Sequence, residues 1–417
     1  MHILMLAFGT RGDVQPMIAL AKGLEQVGHS VRVMAGENFR EWLYRQGLDF
    51  VPSGIDMQAL MSTPAALQWA ENSRQYNQTR RMRELVEAFD RSALQSLADG
   101  VEGCDAVMGG FVAEGFGQAL AEKHGIPYIG ALLQPYRPTA SGAASLVPIA
   151  ARRTTRLNRW FGHVADVLIW RVFHEAINEL RTDYLGLPAH TAASYRAAMR
   201  RVPVVFGFSE HVVPRPRDWD DRLQVSGYWF VDEDDWMPPA GLQAFIEAGP
   251  PPVYIGFGSM SASDPQQVFE LIRTALHISG QRAVLAGGWG GVVGVSDRIY
   301  ALDSAPHDWL FPRMAGVVHH GGAGTTAAGL RAGVPSLLIP HLGDQPYWAR
   351  RLHELGVSPP PIKRRLLTPE RLAGGLTRLV ADRRLRDNAA RLGDLIRAED
   401  GVRVAVEHVH RWLTARR

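Results

Sequence analysis

Residues 317–335 read VVHHGGAGTTAAGLRAGVP, and the fold turns on how this stretch is parsed. Val317 and Val318 run into the histidines as the end of a buried strand would, and the alanine-rich segment from Thr325 has helical composition. The glycines between make a strand-to-helix turn, which places them at a helix N-terminus. Unpaired backbone N–H groups and about half a positive charge collect at such an end, so a phosphate or diphosphate suits it. A rival reading exists. Gly322, Gly324 and Ala327 satisfy the G-x-G-x-x-G/A pattern of dinucleotide-dependent enzymes, and Asp344 follows Gly322 by 22 residues. Three features weigh against it: the unit lies late in the chain, Asp344 falls beyond Pro340 and the end of its strand, and the paired histidines go unexplained. A histidine before an anion-binding helix end is useful if the anion is a leaving group, because a fixed imidazole N–H stabilises charge growing on the departing oxygens. Alternate strand residues face opposite ways, so one of His319 and His320 is expected in the core, and His320, next to the glycines, is the expected phosphate contact.

Outward from this turn the same grammar repeats. HILMLAF, SVRVMAG, DFVPSG, DAVMGGF, PYIGALL and VPVVFGFS alternate with helical patterns, and a second series runs through PPVYIGFGS, QRAVLAGG, RIYALD, AGVVHH and PSLLIP. Such βα repetition predicts an α/β fold with two doubly wound parallel sheets. Residues 229–252, WFVDEDDWMPPAGLQAFIEAGPPP, combine an acidic run with prolines and read as a linker. The expected domains are therefore 1–235 and 236–400. Residues 401–417 follow as an amphipathic helix whose Val402, Val406, Val409 and Leu413 need a surface, and packing back on the first domain would supply one.

Composition narrows the chemistry. A chain of 417 residues suggests roughly two domains, and 46% hydrophobic with 21% charged residues is globular. A net charge of +3 argues against nucleic acid as the main partner. Lysine occurs at Lys22, Lys123 and Lys363 only, so HHGGAGTT lacks the lysine of a P-loop and no Schiff-base setting is recognisable. Cys104 is the single cysteine, which excludes an intrachain disulfide and thiolate zinc sites and fits a cytoplasmic protein. The opening MHILMLAFG reads as a first strand rather than a signal peptide, and no apolar run reaches about 18 residues.

Three more segments carry candidate chemistry. In HILMLAFGTRGDVQP, Asp13 stands at the mouth of a helix, either as its N-cap or as a base that takes a proton while an alcohol attacks. In GFGSM, Ser259 could donate to a phosphate or simply hold a turn. In LLIPHLGDQPYW, Asp344 could cap the helix that starts near Pro346, or, with Gln345, bind vicinal sugar hydroxyls, since the acid accepts and the amide both donates and accepts. Acidic residues at Asp218 and Asp220 and at 232–235 read as solvated charge rather than as a metal site, so no metal is expected.

GTRGDVQP near the start, with APHDWLFP, HHGGAGTT and GDQPYWARR near the end, together resemble the family 1 glycosyltransferases. The branch is that of sterol 3-beta-glucosyltransferases and bacterial antibiotic and rhamnosyl transferases, and the resemblance covers essentially the whole chain. It implies the GT-B fold, two facing Rossmann-like domains with a cleft between them. The acceptor would be bound by the first and a nucleotide sugar by the second, in an inverting reaction without metal or permanent cofactor. Carried over by motif, Asp13 would be the general base, where many relatives have histidine. His320, Gly322, Ala323, Gly324 and Thr325 would hold the diphosphate, helped by Ser259. Asp344 and Gln345 would read the sugar. Ala305 to Trp309 would border the nucleobase through backbone near Ala305 and His307, with Trp289 beside it. Plant relatives orient their catalytic histidine with a second aspartate after a later strand. At that place GGFVAEG has none, so Thr10 or Arg11 would assist Asp13.

Phe111 and Gln134 are further candidate acceptor contacts. The long segments 53–77 and 134–185 contain Met57, Met61, Trp69, Trp160, Phe161 and Trp170, most of them expected in the core and some around an apolar pocket. The basic run RRTTRLNRW could rest on an anionic membrane surface. The expected activity is transfer of a hexose, glucose from UDP-glucose, to a hydroxyl of a lipophilic acceptor: a sterol, triterpenoid, polyketide or flavonoid. A dTDP-deoxysugar transferase is the alternative enzyme, and a noncatalytic nucleotide-sugar binder the alternative class.

Overall fold

Parallel strands covered on both faces must be apolar throughout, and the short apolar runs form such strands. The computed structural model describes residues 1–55, 91–147, 153–232, 236–256, 265–286 and 297–415. Met57, Met61, Trp69, Ser259 and Trp289 therefore lie outside the described residues. Among those described, the chain up to Val231 and from Glu399 forms one compact unit, and Asp232–Ala398 forms a second.

The first unit runs β1 (His2–Leu6), α1 (Arg11–Gln26), β2 (Ser30–Ala35), α2 (Arg40–Arg45), β3 (Asp49–Pro52), α3 (Arg91–Gly100), β4 (Ala106–Gly109), α4 (Glu114–His124), β5 (Tyr128–Leu132), α5 (Arg156–Glu179), α6 (Ala192–Met199), β6 (Val204–Phe206) and β7 (Leu223–Val225). Its seven parallel strands are ordered β3-β2-β1-β4-β5-β6-β7. The second unit holds α7 (Ala240–Glu247), β8 (Val253–Gly256), α8 (Pro265–Ser279), β9 (Ala283–Ala286), β10 (Ile299–Leu302), α9 (His307–Leu310), β11 (Gly316–His319), α10 (Ala323–Ala332), β12 (Ser336–Leu338), α11 (Gln345–Glu354), α12 (Pro369–Ala381) and α13 (Arg383–Arg397). Its five strands are ordered β10-β9-β8-β11-β12, again parallel. Strand order reverses between β1 and β4 and between β8 and β11, and ligands of open α/β sheets bind beyond the carboxyl ends at such a reversal.

The period of two is visible in the second core. Val253, Ile255 and Val318 pack with Ile272, Leu276 and Leu376 on one face, while Tyr254, Val284 and Val317 pack with Leu310 and Phe311 on the other. The closing helix α14 (Gly401–Thr414) belongs to the first unit. Val406, Val409 and Leu413 are buried there, and a Cβ on Gly23 of α1 would collide with Val402 and Val406, so the absent side chain sets how closely the helices approach.

Candidate active site

In the first unit β1 delivers the chain into a glycine turn. Gly9 has φ +145°, and a Cβ there would overlap the Asp13 carboxylate. Thr10 is the N-cap of α1, and Asp13 is the third helical residue, which corrects the N-cap reading of Asp13. Asp13 Oδ2 accepts from the Thr10 backbone N–H (2.8 Å) and from Thr10 Oγ1 (3.1 Å), the acidic arm of a capping box. Among the described residues Oδ1 takes no hydrogen bond. Burial raises the Asp13 pKa, and the two Thr10 hydrogen bonds oppose it without cancelling it. Burial outweighs the capping hydrogen bonds, so the carboxylate is a stronger base than an exposed one.

A cavity of about 40 Å³ lies beside it at the β1/β4 reversal, lined by Asp13, Phe8, Met17, Phe111, Leu133 and Gln134 with their neighbours. Asp13, Phe111 and Gln134, widely separated in sequence, are thus brought together. Phe111 is fixed edge-on against Tyr136, with ring centroids 4.6 Å apart. Arg11 is not among the lining residues, and its guanidinium lies 4.8 Å from the Trp42 ring centroid. The acid that GGFVAEG does offer, Glu114, is buried in a two-pronged ion pair with Arg137 (Nη1 to Oε2 3.1 Å). Of the acidic residues near the linker, Asp218 accepts from Thr139 Oγ1 (2.6 Å) and the Ala140 N–H (2.8 Å), Asp220 pairs with Arg222, and Asp232 pairs with Arg331. Asp218 thus ties two loops together, whereas Asp220 and Asp232 sit in solvent-exposed ion pairs. No cluster of three or more metal-ligating side chains occurs among the described residues.

In the second unit His319 ends β11, fully buried, and its Nδ1 accepts from the Gly321 N–H at 3.1 Å. Burial holds its pKa well below the ordinary value, so the ring is neutral with its proton on Nε2. His320 is half-buried, and burial pushes its pKa down to about 4. Its ring lies against Gly322, where a Cβ would stand 2.6 Å from Nε2. Gly321 turns the chain with φ +97°, and Gly322 is the N-cap of α10. The helix thus begins at Ala323, two residues earlier than the alanine-rich composition suggests. No side chain caps it, and its first intrahelical backbone bond runs from Thr326 N–H to Gly322 O, so the amides of Ala323, Gly324 and Thr325 lie ahead of the ladder.

The next loop packs against this turn: a Cβ on Gly321 would stand 3.2 Å from Gln345 O. Gln345 is buried and its Oε1 accepts from the His341 and Leu342 amides (2.8 and 3.1 Å), so its acceptor end shapes the loop. Asp344 occupies the N-cap position of α11 but does not cap it. Its φ/ψ of −82°/−10° are helical, and Oδ2 accepts from Trp348 Nε1 at 2.7 Å. Ala305 and His307 lie at the start of α9, past the end of β10, where His307 stacks on Phe311 (4.2 Å). Sequence reasoning missed Trp348 and the Glu114–Arg137 pair. The four-residue spacing from Asp344 was a signal for the first, whereas nothing local links the second.

Comparisons with known proteins bear on the family and the fold. Residues 3–141 match the glycosyltransferase family 28 N-terminal domain, and residues 286–404 match the erythromycin biosynthesis protein CIII-like C-terminal domain. Two sterol 3-beta-glucosyltransferases of Arabidopsis thaliana are similar: UGT80A2 is 35% identical, covering 98% of this chain and 65% of the relative, and UGT80B1 is 34% identical, covering 99% and 68%. The chain thus spans about two thirds of these relatives. Among solved structures, the calicheamicin glycosyltransferase CalG4 superposes with a TM-score of 0.71 at 19% identity, covering 99% of this chain and 98% of that one. The fold is GT-B. The chain belongs to the family 1 glycosyltransferases.

Proposed function

We propose that this protein is an inverting, metal-independent glycosyltransferase that moves glucose from UDP-glucose to a hydroxyl of a lipophilic acceptor of the sterol class. Asp13 takes the acceptor proton as the oxygen attacks the sugar C1. The bond from C1 to the diphosphate breaks on the opposite face, and the negative charge passes to the amides of Ala323, Gly324 and Thr325 and to His320. A neutral His320 offers an N–H donor without a competing proton transfer near pH 7. The carrying observation is the uncapped N-terminus of α10 with His320 against it and Asp344 on the neighbouring loop. The sterol relatives support the acceptor class. Asp344 supports a hydroxylated sugar over a deoxysugar, because a carboxylate that meets a sugar carbon without its hydroxyl is desolvated with no donor in return.

Calorimetry with UDP, dTDP and NAD, followed by turnover of UDP-glucose with a panel of sterols, tests the reading; tighter binding of dTDP or NAD sinks it. We also place an anionic membrane surface against α5. Leu157, Trp160, Val164 and Leu168 form a ridge there, 56, 58, 37 and 42% exposed, flanked by exposed Arg156 and Arg159. Vesicle sedimentation with and without anionic lipid, comparing the wild type with Trp160→Ser, decides that point. Trp170 is not part of the ridge: it is buried, stacked on Tyr195 with centroids 4.5 Å apart.

A further inference from the structure

Trp348 is 1% exposed, and an indole N–H at that depth needs an acceptor. Its acceptor is Asp344 Oδ2 at 2.7 Å, one turn earlier on the same face of α11. An N-cap aspartate ordinarily has extended backbone and turns its carboxylate back onto the first helical amides. Asp344 instead has helical dihedrals, and the turn is closed a second time by the Trp348 N–H to Asp344 O bond of 3.2 Å. The carboxylate therefore points along the helix to the indole. The Trp348 ring is itself held edge-on against Tyr347, with centroids 4.9 Å apart. A buried indole, itself packed on a buried ring, thus holds one oxygen of a carboxylate that is only partly buried.

The geometry points to Trp348 as a positioning residue for donor-sugar recognition: it fixes Asp344 through Oδ2, so that the carboxylate meets the sugar hydroxyls in one orientation. The inference rests on the reading of Asp344 as the sugar contact. An indole suits the task because it is a neutral donor, and it holds the carboxylate without supplying the positive charge that an arginine would place beside it. A bare packing role for Trp348 would affect the whole unit. A positioning role affects only the part of donor affinity that depends on the sugar.

The test uses the full chain with UDP-glucose and UDP as probes. Trp348→Phe retains an aromatic side chain and deletes the donor. 3-Benzothienylalanine at position 348, introduced by amber suppression, retains the bicyclic shape and deletes the N–H alone, which covers a Phe variant that does not fold. The donor KM is expected to rise about five- to tenfold, less than loss of the Asp344 contact itself because the carboxylate remains and only its fixed orientation is lost, with kcat within about twofold and UDP affinity unchanged. Adding Trp348→Phe to Asp344→Ala is expected to cost nothing further. An unchanged KM in both position-348 variants while Asp344→Ala raises it overturns the inference and leaves the reading of Asp344 intact. Equal losses for UDP and UDP-glucose also overturn it, because they mark general disruption. If Asp344→Ala leaves the preference for UDP-glucose over UDP unchanged, the reading of Asp344 fails first and the inference falls with it.

Discussion

The β1–α1 and β11–α10 turns are built alike and charged oppositely. Each follows a central parallel strand at a strand-order reversal, bends at a glycine with positive φ, and opens a helix. In the first, Thr10 and Asp13 close the helix end with a carboxylate, so the N-terminal field is spent on the chain's own anion. In the second, the N-cap is a glycine and no side chain intervenes, so the field is presented to a ligand. The lesson is that a strand–glycine–helix turn does not by itself define an anion site. What decides is whether the chain supplies the anion.

The sharpest way to break this contrast is to neutralise the first turn. Asp13→Asn is expected to lower kcat about 10³-fold with UDP affinity unchanged, measured by steady-state kinetics and calorimetry. The same variant tests the cost of burial. Because the folded pKa of Asp13 lies above the ordinary 3.8, the folded chain holds more protons than the unfolded one between those two values, and stability falls as pH rises through that window. The Asn variant is therefore expected to melt higher at pH 7, and the gain should vanish below about pH 3.8 in thermal scans.

At the second turn, His320→Ala is expected to lower kcat about 10²-fold, the usual loss for one donor to a developing anion. A bound diphosphate favours the protonated ring, so the His320 pKa must rise from about 4 on UDP binding. UDP affinity should then increase as pH falls toward 4, with proton uptake detectable at pH 5 by calorimetry in two buffers of different ionisation heat. His320→Ala should abolish that uptake.

Backbone substitutions sharpen the comparison further. Gly321→Ala forces a side chain at φ +97° into Leu338 and the Gln345 carbonyl, and about 1–3 kcal/mol of stability should be lost in denaturant titration. The smallest expected effect is at Gly12, inside α1, where a Cβ meets nothing closer than Thr10 Oγ1 at 3.8 Å. Ala there should be neutral or stabilising by up to about 1 kcal/mol.

Much of this was legible before any coordinates. Repeated apolar runs alternating with helical patterns read as buried parallel strands, so both sheets could be read from sequence except the edge strand β7, whose three residues Leu223–Val225 give no apolar run. The same holds for the valine stripe of α14, whose spacing demands a partner. The site was legible as residue types at turns. It was less legible as geometry: Asp13 looked like a cap and proved to be the third residue of its helix, and the acceptor end of Gln345, expected at a sugar, binds its own loop. Such outcomes depend on a rotamer and a single φ/ψ pair, which local composition does not encode.

The sequence by itself determined the alternation of strand and helix and the glycines that permit the turns, because periodicity and sterics act over a few residues. It also excluded a P-loop, an intrachain disulfide and a thiolate zinc site by composition. Only the tertiary structure decided the protonation and orientation of the groups that matter: the raised pKa of Asp13, the neutrality of His319 and His320, and the bond from Trp348 to Asp344. Desolvation and hydrogen bonding are set by everything packed around an atom, and most of that packing comes from residues distant in the chain.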